Sequence, residues 1–107
     1  MSLFAVIREA GPAWNPGGNF QQPSVTEHAA SLSALAEQDF VLFGGPLAGT
    51  EDGRVRVLLI VNAASEAEIE RRLADDPWAP TEQLLTVSIE PWKILVGADL
   101  LASAQAV

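Results

Sequence analysis

The chain has 107 residues, 49% of them hydrophobic, with three tryptophans and four phenylalanines, which suits one folded domain with a single core and excludes a disordered chain. Fourteen acidic against six basic side chains leave a net charge of −8, which repels a phosphate backbone and an anionic lipid surface, so neither nucleic acid nor a membrane is expected as a partner. Cysteine is absent, which removes disulfides, thiolate metal sites and cysteine nucleophiles and fits a cytoplasmic setting.

In chain order, Leu3 to Arg8 is a short, nearly continuous apolar run, the pattern of a strand buried on both faces. Arg8 and Glu9 end that run far short of a signal peptide or membrane span. From Glu9 to Gln22 the glycines and prolines of GPAWNPGGNFQQ predict a long loop, in which Trp14 and Phe20 are apolar enough to pack back onto the domain. Ser24 and Glu27 have the spacing of a capping box, which starts a helix running to about Gln38. His28, the sole histidine, falls one turn into that helix at the border of its apolar stripe. On this stretch alone a lone imidazole reads as a half-buried core or cap residue before a reactive one.

Phe40 to Phe43 reads as a second strand, stopped by Gly44, Gly45 and Pro46. The paired glycines allow a ligand to come close, and they equally serve an ordinary turn. Gly49 to Gly53 predicts a hairpin tip leading into a third strand, Arg54 to Val61. Ser65 and Glu68 repeat the capping-box spacing and open a second helix, which Pro77 requires to end near Asp75. Leu85, Val87 and Ile89 alternate with polar residues along a fourth strand, Trp92 to Val96 extends it as a fifth, and the weakly patterned end of the chain reads as a flexible tail. The expected organisation is one domain over residues 1–98 with a tail over 99–107.

The order strand, helix, strand, strand, helix, strand is that of the ferredoxin-like fold, an α+β domain on an antiparallel sheet. Its two halves run in opposite senses, so the start of the first helix and the end of the second reach one edge, with Arg8, the long loop, Gly44 and Gly45 at the same rim. Asp75 and Asp76 lie at the negative end of the second helix dipole, at a cost of about 0.3–1 kcal/mol each. That placement does not serve the helix.

The GPAWNPGG loop, the EHAASLSAL helix, the GGPL turn, the DDPW tetrapeptide and the IEPW strand ending resemble the YCII-related family over nearly the whole domain. The resemblance implies a dimeric α+β barrel with a histidine and an aspartate as a catalytic pair, which carry over to His28 and Asp76. Asp75 occupies a variable place in that pattern. Arg8, Trp14, Phe20, Gly44, Gly45 and Trp78 complete the expected substrate-binding rim. The activity implied is cofactor-independent proton transfer, of isomerase or lyase type, on a small cyclic organic acid or lactone. The alternative is a non-catalytic small-molecule binder or accessory protein. A third option, haem ligation through His28, arises only by analogy with other barrels of this architecture. One histidine and no cysteine offer no multi-histidine metal site, and Ser24 and Ser31 are badly placed for a Ser-His-Asp triad. The expected partners are a small molecule and a second copy of the chain.

Overall fold

Period-two alternation explains the central strand β1, Leu3–Ala10, in the computed structural model, which describes residues 2–50 and 53–105. Phe4, Val6 and Arg8 are buried on one face, whereas Leu3, Ala5 and Ile7 are half-buried on the other. The remaining elements are α1 (Val25–Glu37), β2 (Val41–Pro46), β3 (Arg56–Asn62), α2 (Glu66–Leu73), β4 (Leu84–Trp92) and α3 (Ala98–Gln105), with a 3-10 turn at Asn19–Gln21. The strands form one four-stranded antiparallel sheet in the order β2-β3-β1-β4, so the protein is an α+β domain with the ferredoxin-like element order. Phe4 and Val6 of β1 and Leu59 and Val61 of β3 pack with Leu35 of α1 and Ile69 and Leu73 of α2 to form the main core. On the sheet's opposite face, Phe43 and Trp92 are exposed beside half-buried Leu3, Ile7 and Leu58. Among the described residues no helix is long and apolar enough to cross a membrane.

The two helix starts differ, although the same spacing marks both. At α2, Ser65 Oγ accepts from the Glu68 N–H at 3.2 Å, and the Glu68 carboxylate accepts from the Ala64 N–H at 2.8 Å. At α1, Ser24 makes no side-chain cap; it sits in the left-handed region at φ 59°, ψ 30°. The preceding carbonyl, that of Pro23, instead accepts from Trp78 Nε1–H at 2.7 Å, so a long-range bond sets the approach to α1 where a local one was expected. A left-handed residue other than glycine costs roughly 1 kcal/mol or more. Ser24→Gly is therefore expected to raise stability by about 1 kcal/mol, read as a higher denaturation midpoint at unchanged slope. A fall would mean that the serine hydroxyl contributes more than the turn costs.

Two expectations about the end of the chain need correction. β4 pairs with β1 as far as Trp92 opposite Leu3, and residues 93–97 then run beyond the end of β1, with no strand partner among the described residues. The expected fifth strand is absent there. The segment read as a frayed tail contains α3, whose Leu101 is buried. Its alanines carry helix propensity but no apolar period, so pattern alone did not reveal it. Glu51 and Asp52, at the expected hairpin tip, lie outside the described residues.

Candidate active site

The sheet and the first two helices bring one residue each to a buried charged cluster. Arg8 comes from the helix-facing side of β1, His28 from the first turn of α1, and Asp76 from the turn that follows α2, where its N–H donates to Leu73 O at 3.1 Å. Arg8 is 1% exposed, Asp76 0% and His28 13%. Arg8 Nη1 donates to Asp76 Oδ2 at 2.8 Å. His28 Nδ1 lies 2.8 Å from Oδ1 and 2.9 Å from Oδ2, and the Trp78 N–H donates to Oδ1 at 3.1 Å. With the carboxylate ionised, Nδ1 carries the proton and donates, which leaves Nε2 to accept one.

Burial alone would raise the Asp76 carboxyl pKa. The hydrogen bonds from His28, the Trp78 N–H and Arg8, with the charge of Arg8, outweigh it, and the group titrates below its ordinary value. In the acid window between the two values the unfolded chain binds the extra proton, so stability rises with pH there. The Asp76 contribution is therefore complete above the unfolded carboxylate value of about 3.9 and is lost as pH falls through the lower folded value. Denaturant titrations between pH 2 and 6 on the protein and on Asp76→Asn are expected to converge toward acid. Parallel curves across that range would remove Asp76 as a source of acid sensitivity.

Arg8 meets Asp76 through one nitrogen only. Its Nε and Nη2 are buried with no hydrogen-bond partner among the described residues. Such donors are costly to leave unmet, and their parallel geometry suits a carboxylate or another pair of oxygens.

Trp78, expected to contact substrate, is 2% exposed and belongs to the wall of the site. Its indole lies flat on the His28 ring, with centroids 3.7 Å apart and planes at 8°, and Trp14 meets it edge-on at 5.7 Å. Phe20 is 87% exposed, so the loop is anchored through Trp14 and not through both aromatics. The loop's other fastener was invisible in the sequence, where a glutamine among glycines and prolines reads as solvated. Gln22 is buried, donates through Nε2 to Asn15 O at 2.6 Å and Gly18 O at 2.8 Å, and accepts from the Asn15 N–H at 2.8 Å.

Gly44 and Gly45 line a cavity of about 370 Å³ between α1 and the β2–β3 pair. Its wall includes Leu32, one turn beyond His28 on α1, and Val57, the register partner of Arg8, but not Arg8, His28 or Asp76 themselves. At Gly44 a Cβ would come within 2.7 Å of the Leu59 side chain. A second cavity, of about 500 Å³ and lined by Trp14, Gly17 and Gly18, shares Thr50 and Val55 with the first. Two others lie between α2 and β4 and on the opposite face of β2 and β3. No group of three or more potential metal ligands occurs among the described residues.

No protein-family model and no curated protein matches the chain. A solved structure does, that of 5-chloro-2-hydroxyhydroquinone dehydrochlorinase (TftG) from Burkholderia phenoliruptrix AC1100 in complex with 2,5-dihydroxybenzoquinone. The similarity covers 91% of this chain and 97% of that one, with a TM-score of 0.53 and 24% sequence identity. The two chains share a fold. At that identity the likeness concerns backbone architecture.

Proposed function

We propose that this protein is an enzyme of the YCII-related kind that moves a proton on a small cyclic organic acid or lactone without a cofactor. The observation that carries the reading is the His28–Asp76 contact at 2.8 Å, with the carboxylate held in turn by Arg8 and the Trp78 N–H. Asp76 keeps the proton on Nδ1, and the Nε2 lone pair takes one from a carbon of the substrate. The carbon keeps the electron pair, which either receives a proton elsewhere, giving an isomer, or forms a double bond as a leaving group departs with its own bonding pair. Arg8 holds the Asp76 carboxylate from its far side, and the cavity beside Gly44 and Gly45 receives the ring. Support comes from the motif resemblance and from the fold shared with a dehydrochlorinase.

The test is turnover of a panel of lactones and haloaromatic acids by metal-free protein, set against His28→Gln. Product formation that the substitution leaves unchanged overturns the reading.

One observation favours a non-catalytic binder. Neither His28 nor Asp76 lines any of the four cavities described above. A binder would saturate with members of the same panel and yield no product. In either case we place a second copy of the chain on the open sheet face. Sedimentation is expected to give a dimer at micromolar concentration, because an interface of about 1,600 Å² is stable there; a monomer of 11.4 kDa would exclude it.

A further inference from the structure

We infer that Trp78 is the positioning residue of the site, fixing the plane of the His28 ring and hence the direction of Nε2. The inference rests on the reading of His28 as a base.

Two nearly equal contacts from Nδ1 to Asp76, at 2.8 and 2.9 Å, fix the place of that nitrogen. They do not fix the ring, because rotation about the bond to an imidazole has broad minima and a carboxylate accepts from a range of directions. The indole removes that freedom. With the planes at 8° and the centroids at 3.7 Å, rotating the imidazole would drive its edge into the indole face. The indole is itself held, since Nε1–H donates to Pro23 O at 2.7 Å and Trp14 packs against it at right angles. Trp78 also holds the carboxylate, through its peptide N–H to Asp76 Oδ1 at 3.1 Å. That second role belongs to the backbone and survives any side-chain substitution, so the ring-plane role can be isolated.

The chain has one histidine, so nitrogen NMR on histidine-labelled protein reads this imidazole alone, and no substrate is needed. In the unaltered protein one tautomer, protonated at Nδ1, is expected, with that proton protected from solvent exchange. In Trp78→Leu, Asp76 keeps both its Trp78-position N–H and Arg8. There the ring should turn about its bond to Cβ, and exchange of the Nδ1 proton should accelerate about tenfold or more. Trp78→Phe, which keeps a smaller aromatic face and loses the bond to Pro23, should fall between. Unchanged protection of that proton in Trp78→Leu overturns the inference and leaves Trp78 as core packing. If that variant does not fold, Trp78→Phe decides: unchanged exchange overturns, faster exchange supports. Failure of the catalytic reading would look different, as a fixed tautomer in a protein that turns nothing over.

Discussion

Asp76→Ala is expected to lose about 3–5 kcal/mol of stability, because it leaves the Arg8 guanidinium buried with no counter-charge. Arg8 is 1% exposed and meets no other acceptor among the described residues, so no nearby oxygen takes over the pairing. His28 and the Trp78 N–H lose their acceptor in the same step. A small domain has only about 5–15 kcal/mol to lose, so the variant should melt far below the parent. Removing both charges should hurt less. Arg8→Met combined with Asp76→Leu replaces the pair by apolar groups of similar reach and should recover a large part of the loss, as buried ion pairs do when exchanged whole. A cost below about 1 kcal/mol for Asp76→Ala would mean that water reaches the guanidinium.

The second large effect concerns rate. On the proposed function, His28→Ala is expected to lower turnover by about 10²–10⁴ with the fold retained, the usual span for a general base. The stability change should be smaller than for Asp76→Ala, since a partly exposed ring leaves and the Arg8–Asp76 pair remains. Asp76→Asn should also slow the reaction, because an amide can hold the other tautomer and present Nδ1, not Nε2, as the acceptor. Full turnover by His28→Ala, together with early melting, would falsify the assignment and leave a structural contact between two helix ends.

The strands were legible where one physical rule governed them. Apolar runs and period-two alternation mark β1, β3 and β4, and the order of elements follows from them. Ser65 capped as its spacing predicts, with Glu68 supplying both the donor N–H and the returning carboxylate. Ser24 did not, because Trp78 claims the neighbouring carbonyl across a separation of 55 residues, and no local pattern encodes such a bond. The same limit applies at the site. The element order brings His28 and Asp76 to one edge, and their side chains lie 2.8 Å apart. The burial of Arg8 was not legible, because it depends on a carboxylate 68 positions away. Trp78 and Phe20 are both aromatic and both near the rim in sequence terms, yet one is enclosed and the other solvated. Only packing separates them.

Both outer strands of the sheet, β2 and β4, carry a proline, Pro46 and Pro91. Leu47 donates inward to Arg56 O at 2.9 Å, so Pro46, one residue earlier, turns its nitrogen toward solvent, where it has no hydrogen to offer an incoming chain. An edge blunted in this way resists lengthening of the sheet by stray strands, the usual first step toward fibrous aggregates. Pro46→Val would restore the missing donor next to exposed Phe43, and so would exchange a guarded rim for one open to uncontrolled growth.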